Sequence, residues 1–490
     1  MTPLNRRRTK IICTLGPVTS SPGMIEKLVH SGMNVARLNF SHGTHSEHLQ
    51  RINVLRGISR KHGRPIAVLA DLQGPKIRTG ALLQDQPIHL RFGQRLIITT
   101  KRIIGTPEAI STTFRALPSS VHKGDRILLS DGQIALRVLS TREREVICQV
   151  ENGGELKPHQ GINLPGVKLK IPALTRKDAE DLAFALKAGA DYIALSFVRR
   201  ADDVRTAKAA IKRMGGNIPV IAKLEKPEAI ENLDEILGVA DGVMVARGDL
   251  GVEMSPEKVP VIQKHIISRA RDALIPVITA TQMLDSMQQN PRPTRAEASD
   301  VANAVFDGSD ALMLSGETAA GKYPLEAVSM MDRIICEAEA SIKEQVRPAR
   351  FAEMHIAEAI AEAICHAAEE LRMKVLVVFT ETGFSARLVS KYRPRAPILA
   401  FSPLRGTRRR MGLYWGVTPR PVRGIRDIET LVNIAESCLR AEGLVARGDI
   451  IGVVAGTPIG SAGTTNLIRL IRVGGGTILR TFLGRQPAND

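Results

Sequence analysis

The chain has 490 residues with a formal net charge of +18, and 43% of its residues are apolar, which excludes wholesale disorder. No apolar run approaches the roughly 20 residues of a membrane span, and the five scattered cysteines suggest neither a disulfide framework nor a zinc site. We therefore expect a soluble, cytoplasmic protein of about three domains.

Eight short apolar runs, each followed by a helical segment, organise most of the first 345 residues. They predict strands at 10–15, 35–40, 66–72, 192–197, 219–224, 242–246, 276–281 and 311–315. Several of these runs are apolar without alternation, which is typical of strands covered on both faces. Eight strand–helix units predict an α/β fold of the (β/α)8 TIM-barrel type. Strand count alone leaves a doubly wound open sheet as the competing arrangement.

Helix-start signals follow several of these strands. Serines precede prolines at Ser21 and Ser255, and capping boxes are predicted for Thr44 with Glu47, Thr175 with Asp178 and Thr294 with Glu297.

Two other regions depart from the barrel pattern. Residues 80–165 contain short strand-like runs separated by Gly, Pro, Asp and Asn turns, which predicts a small all-β module inserted after the third barrel strand. Residues 346–490 start another series, with a helix at 353–371, strands at 375–380, 398–401 and 449–455, and a helix at 384–391. This pattern favours an open α/β domain, which leaves residues 1–79 and 166–345 for the barrel.

Polar residues concentrate at the predicted C-terminal strand ends, where a (β/α)8 barrel carries its working groups. They are Arg37, Asn39, Ser41 and His42 after the second strand, Asp71, Lys76 and Arg78 after the third, Lys223 and Glu225 after the fifth, Arg247 and Asp249 after the sixth, Thr281 and Gln282 after the seventh, and Ser315 and Glu317 after the eighth.

This set of charges suits a highly anionic substrate. Glu225 and Asp249, on neighbouring strands, predict a site for a hard divalent ion such as Mg²⁺. Lys223 leaves the same strand face as Glu225, and a lysine with arginines around a divalent ion suits phosphoryl transfer. The alternative is that these charges only pair with one another on a solvated rim, but their recurrence at nearly every strand end favours a site.

Several long motifs resemble the pyruvate kinase family. They are ARLNFSHG (36–43), GPKIRTG (74–80), AKLEKPEAI (222–230), VARGDLGVE (245–253), ATQML (280–284), PTRAEASDVANAV (293–305) and MLSGETAAGKYP (313–324). The similarity runs from about residue 9 to residue 470. It implies phosphoryl transfer from phosphoenolpyruvate to ADP, giving pyruvate and ATP. It also implies a homotetramer whose subunits have a (β/α)8 barrel, an inserted small β-barrel lid domain at residues 80–165 and a C-terminal regulatory domain.

The resemblance also implies roles for individual residues. Glu225 and Asp249 resemble the family's metal ligands, Lys223 the lysine that neutralises the transferring phosphoryl group, and Arg37 the arginine that grips phosphate. The amides of Gly248 and Asp249 resemble the seat of the substrate carboxylate, and Thr281 the threonine beside the carbon that is protonated. Ser315 and Glu317 would form a proton relay, and Asn39, His42 and Arg78 would bind the nucleotide.

One departure concerns the monovalent cation. Most familiar members require K⁺, which is bound by residues matching Asn39, Ser41, Asp71 and the backbone oxygen of Leu72, beside a glutamate. Here Lys76 replaces that glutamate, so its ammonium can fill the electrostatic role of the ion. The resemblance therefore predicts activity that does not require K⁺.

A second departure concerns regulation. Thr380, Thr382, Gly383 and Ser385 resemble the family's effector loop for a sugar phosphate, although a plain strand-to-helix turn remains the alternative. Glu381 and Phe384 replace basic residues of members regulated by fructose 1,6-bisphosphate, and the later loop at 456–460 lacks their Trp-Arg pair. A sugar monophosphate effector is therefore the prediction, with absence of regulation left open.

Two rival functions would account for parts of this pattern. A Mg²⁺-dependent lyase or aldolase barrel would use a Glu/Asp metal pair but would need neither Lys223 nor the lid. Nucleic-acid binding depends only on the basic charge, and aromatic residues are 3% of the chain, too few for a base-stacking surface. We expect neither nucleic acid nor membrane as a partner.

Overall fold

The computed structural model describes residues 7–167, 171–343, 346–349, 354–423, 427–458 and 464–475. The chain divides into two compact units, one spanning residues 9–343 and the other combining residues 1–8 with residues 344–490. Among the described helices, none has the length and apolar character that crossing a membrane requires.

The larger unit begins with alternating strands and helices. They are β1 (Lys10–Thr14), α1 (Pro22–Ser31), β2 (Val35–Asn39), α2 (His45–Lys61) and β3 (Ala67–Asp71). These strands are almost entirely buried, because both of their faces are covered.

A β-rich insert follows β3. Its elements are β4 (Ile88–Leu90), β5 (Arg95–Thr99), β6 (Ala109–Ser111), α3 (Leu117–Ser120), β7 (Arg126–Leu129), β8 (Ile134–Arg142), β9 (Glu145–Asn152), β10 (Gly154–Leu156) and β11 (Ile162–Asn163). Six strands form one sheet in the order β11-β7-β8-β9-β5-β6, and β10 pairs with β4 in a second. The insert has its own apolar core, which includes Leu96, Ile127, Leu136 and Val146.

After the insert the strand–helix alternation resumes. Its elements are α4 (Arg176–Lys187), β12 (Tyr192–Leu195), α5 (Ala201–Arg213), β13 (Val220–Leu224), α6 (Pro227–Glu231), α7 (Leu233–Leu237), β14 (Gly242–Ala246), α8 (Arg247–Glu253), α9 (Val259–Asp272), β15 (Val277–Ala280), α10 (Arg295–Asp307), β16 (Ala311–Leu314), α11 (Gly316–Ala319) and α12 (Pro324–Ser341).

Eight parallel strands close into one barrel, in the order β1-β16-β15-β14-β13-β12-β3-β2, with β2 pairing back to β1. The predicted barrel is therefore confirmed, and the open-sheet alternative is wrong. Because all eight strands run in the same direction, their C-terminal ends meet at one mouth.

The predicted capping boxes fix three of the barrel helices. In α2, α4 and α10 the N-cap threonine accepts a hydrogen bond from the third helical residue, whose carboxylate binds the threonine N–H in return. Ser21 caps α1 through Met24 N–H as predicted, whereas Ser255 begins a short 3₁₀ turn without a side-chain cap.

The smaller unit is an open sheet with helices. Its elements are α13 (Ile356–Glu370), β17 (Val375–Phe379), α14 (Phe384–Lys391), β18 (Ile398–Ser402), α15 (Arg405–Arg410), β19 (Val417–Pro421), α16 (Ile428–Ala441), β20 (Ile450–Gly456) and β21 (Thr465–Arg472). The sheet order is β19-β18-β17-β20-β21, and only the β20–β21 pair is antiparallel. Residue 353 of the predicted helix and residues 459–460 of the predicted late loop lie outside the described residues.

Candidate active site

Lys223 lies at the centre of a buried charge cluster at the mouth of the barrel. Near the end of β13, its Nζ lies 2.9 Å from Glu225 Oε1 and 3.2 Å from Asp71 Oδ1, and it donates a hydrogen bond to Ser196 Oγ at 2.7 Å. The side chains thus converge from β3, β13 and the end of β12. The sequence predicted that Lys223 and Glu225 share a strand face, and their ion pair confirms it.

Arg37 adds a second cation to this cluster. Its Nε donates to Asp71 Oδ2 at 2.7 Å, and its second terminal nitrogen lies at the same distance from that oxygen. Its remaining terminal nitrogen donates to Thr14 Oγ1 at 3.0 Å. Asp71 therefore joins Arg37 to Lys223, and the two positive side chains are held on one carboxylate.

The ionisation states follow from this pairing. Burial alone would lower the pKa of Lys223, but Asp71 and Glu225 outweigh it and raise that pKa above its ordinary value. Burial alone would raise the pKa of Asp71, but Lys223 and Arg37 hold it below its usual range. At neutral pH the cluster therefore has two cations and an ionised Asp71.

Glu225 is a buried carboxylate whose negative charge a bound divalent ion would neutralise. Its side chain is 1% exposed, and its Oε2 accepts a hydrogen bond from Phe197 N–H at 2.8 Å. Burial raises the pKa of Glu225, and the negative charge of Asp249 adds to this effect while Lys223 opposes it. A pair of carboxylates that repel each other at a buried site fits Mg²⁺ well.

The protein offers few metal ligands at this place. Within the described ranges, no group of three or more His, Cys, Asp or Glu side chains converges to hold a metal. Two carboxylates with water and substrate oxygens completing the shell suit Mg²⁺, which rarely occupies an all-protein cage.

The ends of β14 and β15 are joined through Thr281. Gly248 N–H, in the first turn of α8, donates to Thr281 Oγ1 at 2.8 Å, and that hydroxyl donates to Ala280 O at 2.5 Å. Thr281 and Gln282 both have left-handed backbones, with φ of 69° and 53°. Two consecutive residues of this kind store strain, which persists only where the surroundings impose it.

Arg247 supplies part of that constraint. Its guanidinium donates to Thr281 O at 2.7 Å and to Gln282 O at 3.2 Å, and it forms an ion pair with Asp300 at 2.7 Å. One arginine beside Gly248 therefore fixes the strained turn that presents Thr281.

Glu317 and Ser315 lie beside one another after β16. The Glu317 carboxylate accepts hydrogen bonds from Ser315 N–H at 2.7 Å and from Leu284 N–H at 3.1 Å. Burial raises the pKa of Glu317 above its ordinary value against these bonds. Ser315 Oγ is buried and has no hydrogen-bond partner among the described residues.

Positive charge surrounds His42 at the end of β2. Burial and the charges of Arg78, Lys76 and Arg37 lower the pKa of His42, so its imidazole is neutral at pH 7. Arg78 donates to His159 O of the insert at 3.0 Å. No ion pair or hydrogen bond of the Lys76 ammonium is found in the part of the chain that the structure describes.

Oxygens of Asn39, Asp71 and Leu72 at the predicted monovalent-cation site already have protein partners. Asn39 Oδ1 accepts from Ser41 N–H at 3.1 Å, and the backbone oxygen of Leu72 accepts from Ser196 Oγ at 2.7 Å. Asp71 serves the Arg37–Lys223 cluster. The structure thus joins Asp71 to Arg37 and Lys223.

The insert contacts the barrel beside this cluster. Asn163 in β11 donates to Glu253 Oε1 at 2.9 Å, and Lys226 Nζ lies 2.6 Å from the same oxygen. Glu253 ends α8, the helix that contains Gly248 and Asp249.

Three residues of this region were missed by the sequence analysis. Thr14 ends the first barrel strand and Ser196 directly follows the fourth, so the rule that predicted the other positions would also have found them. Glu253 gave no signal, because its importance comes from a contact with the distant Asn163.

The predicted effector loop lies in the smaller unit, between β17 and α14. Thr380 Oγ1 accepts from Gly383 N–H at 3.0 Å, and Thr382 Oγ1 accepts from Phe384 N–H at 3.3 Å. Ser385 Oγ lies 2.5 Å from Thr465 Oγ1. The structure brings the four predicted residues together at the start of an eight-residue helix.

Comparison with known families identifies the chain's relatives. A family model described as the pyruvate kinase barrel domain matches residues 6–328, and one described as the pyruvate kinase alpha/beta domain matches residues 358–471. The chain belongs to the pyruvate kinase family. The resemblance drawn from the motifs is thereby confirmed.

Individual relatives agree with this assignment. Pyruvate kinases of Staphylococcus aureus strains MRSA252 and NCTC 8325 are each 47% identical over 473 residues, covering 96% of this chain and 81% of each relative. A crystal structure of a pyruvate kinase from Cryptosporidium parvum is similar with a TM-score of 0.90 and 38% identity, covering 96% of this chain and 97% of that one. The chain is a phosphotransferase of the pyruvate kinase type, acting on phosphoenolpyruvate and ADP.

Proposed function

We propose that the Lys223 cluster carries out Mg²⁺-dependent phosphoryl transfer from phosphoenolpyruvate to ADP, giving pyruvate and ATP. The observation that carries this proposal is the contact of the Lys223 ammonium with Glu225 and Asp71, beside Arg37. Phosphoryl transfer depends mainly on positioning and charge neutralisation, and this cluster supplies two fixed cations in a buried place.

The metal ligands in this proposal are Glu225 and Asp249. When bound, Mg²⁺ (or Mn²⁺) supplies charge neutralisation for the phosphoryl and enolate oxygens. Lys223 neutralises the phosphoryl group during transfer, and Arg37 grips its oxygens. The N–H groups of Gly248 and Asp249 are proposed to hold the substrate carboxylate, for which Gly248 N–H would give up its hydrogen bond to Thr281 Oγ1.

The second half of the reaction needs a proton on the methylene carbon of the enolate. Thr281 is the group proposed beside that carbon, because the Arg247 guanidinium holds its backbone oxygen and so fixes the turn that presents its hydroxyl. Ser315 and Glu317 are proposed to relay the proton, since the buried Ser315 hydroxyl has no hydrogen-bond partner in the described ranges and the pKa of Glu317 is raised by burial. Asn39, His42 and Arg78 are proposed to bind the nucleotide.

A coupled assay tests the proposed reaction. Purified protein with phosphoenolpyruvate, ADP and Mg²⁺ is expected to form one pyruvate for each ADP consumed, measured by following pyruvate and ATP separately. Omitting ADP should stop pyruvate formation. Pyruvate formed without ADP would instead favour a lyase or a phosphatase.

Independence from K⁺ is a further part of the proposal. Lys76 stands where K⁺-requiring members have a glutamate, and its positive charge helps to lower the pKa of His42 at the end of β2. The ammonium is therefore proposed to replace the ion electrostatically, among Asn39, Ser41, Asp71 and Leu72.

Regulation by a sugar monophosphate is proposed for the loop that contains Thr380, Thr382, Gly383 and Ser385. Hydroxyls and backbone N–H groups at a helix start suit a phosphate. Glucose 6-phosphate or ribose 5-phosphate is expected to lower the half-saturating phosphoenolpyruvate concentration on the order of fivefold, as measured by saturation curves. Fructose 1,6-bisphosphate should have less effect. If no sugar phosphate changes the half-saturating phosphoenolpyruvate concentration, regulation through this loop is refuted.

Assembly and location complete the proposal. A homotetramer is proposed from family membership, with domains at residues 1–79 and 166–345, 80–165, and 346–490. The five free cysteines fit the reducing cytoplasm where glycolysis runs.

A further inference from the structure

The end of β12 contributes a buried hydroxyl that the proposed reaction has not used. Ser196 is 1% exposed, and its Oγ lies 2.7 Å from both Lys223 Nζ and the backbone oxygen of Leu72. A hydroxyl has one hydrogen to donate. The carbonyl of Leu72 can only accept, so Ser196 donates to it and accepts from Lys223.

The three partners of the Lys223 ammonium differ in how they respond to substrate. Glu225 is a proposed metal ligand, and Asp71 is shared with Arg37 and lies farther away, at 3.2 Å. Ser196 is neutral, so a metal ion that binds nearby does not attract its hydroxyl away from Lys223. It is therefore the partner that keeps one N–H of the ammonium directed while the other donors reach the phosphoryl group.

The surroundings hold the Ser196 hydroxyl still. Gly74 adopts φ of 71°, and a Cβ at that position would lie 2.9 Å from Ser196 Cβ. Gly74 N–H donates to the buried Asp178 at 2.9 Å, and Leu72 N–H donates to Ala194 O at 3.0 Å. The loop after β3 thus packs closely over Ser196 and fixes the carbonyl that receives its hydrogen.

We propose that Ser196 is a positioning residue that holds the Lys223 ammonium at the place where the phosphoryl group is transferred. A lysine has a flexible four-carbon stem and a charge that can rotate freely. Ser196 removes that freedom by accepting one of its three N–H bonds. The inference rests on the proposed role of Lys223, and it predicts that Ser196 acts on rate through Lys223 alone.

The test is a double-mutant cycle of Ser196→Ala with Lys223→Arg. Ser196→Ala is expected to lower kcat by about 10- to 100-fold, the cost of slight misplacement, with KM for phosphoenolpyruvate changed less than about threefold. In the Lys223→Arg background the same substitution should change kcat less than about threefold, because the guanidinium does not reproduce the ammonium geometry.

A matched control removes a buried hydroxyl of the same kind elsewhere. Ser390 in α14 also donates to a backbone oxygen at 2.7 Å, that of Trp415, and Ser390→Ala should leave kcat within about twofold. Ser196→Cys replaces the hydroxyl by a slightly larger thiol that is a weaker acceptor, so it should lower kcat in the same direction. It also provides a second variant should Ser196→Ala fail to fold.

The outcomes separate this inference from the role of Lys223. A Ser196→Ala enzyme with wild-type kcat, or an equal fall in both backgrounds, would overturn the positioning role. Wild-type turnover in Lys223→Arg alone would instead overturn the role of Lys223 and, with it, the inference.

Discussion

Replacing Lys223 by methionine is expected to lower kcat by about 10³- to 10⁵-fold, the range observed when a cation that neutralises a transferring phosphoryl group is removed. Methionine keeps much of the stem volume but has no charge. Asp71 would still be paired with Arg37, so the fold should persist. The measurement is single-turnover formation of pyruvate and ATP.

A measurement of metal affinity distinguishes a variant that has lost only phosphoryl transfer from one that has lost the metal site. Mn²⁺ affinity, titrated by paramagnetic resonance, should fall by about tenfold in Lys223→Met, the lower end of the cost of losing a side chain that contacts a metal ligand, because no proposed ligand is removed. Glu225→Gln is the contrasting variant, and it should weaken Mn²⁺ by at least about 100-fold while also stopping transfer. Near wild-type turnover in Lys223→Met would refute the assigned role.

Replacing Lys76 by glutamate is expected to create a requirement for K⁺. The substitution puts a carboxylate in place of an ammonium at the mouth of the barrel, which then needs a cation. Without K⁺, turnover should fall by about 100-fold, and added K⁺ should restore most of it. The wild-type rate should change less than about twofold when K⁺ replaces tetramethylammonium at constant ionic strength.

Two further variants control for this result. Lys76→Met removes the charge without adding a carboxylate, so it should lose activity that K⁺ restores only in part. Lys123→Glu makes the same charge change at an exposed position of the insert, and it should remain indifferent to K⁺. A wild-type enzyme that strictly needs K⁺ would rule out the substitution of ammonium for ion.

The barrel was predictable from sequence because its signals are local. Both-face burial gives each strand an apolar run, and threonine–carboxylate pairs mark the starts of α2, α4 and α10. The smaller unit was harder to predict. The strand β19 contains Pro419 and Pro421, which are tolerated because it lies at the sheet edge. The elements α15, α16 and β21 were also not predicted.

The sequence predicted where the site residues lie, but not which side chains pair with one another. Arg37, Asp71 and Lys223 were predicted from their places at C-terminal strand ends, because the common direction of the strands brings such residues to one mouth of the barrel. The family resemblance assigned Asp71 to the cation site, and the structure adds its pairing with Arg37 and Lys223. Side-chain partners depend on the register between neighbouring strands, which one sequence does not reveal.

The bracing of the Thr281 turn by Arg247 has a consequence for engineering this enzyme. Arg247 directly follows β14, and its guanidinium binds the carbonyls of Thr281 and Gln282, which follow β15. The conformation of one segment therefore depends on the other. A chimera in which only one of the two segments came from a distant homologue would lose the hydrogen bonds from Arg247 to the carbonyls of Thr281 and Gln282. Transplanting both segments together is the design that preserves the strained backbone.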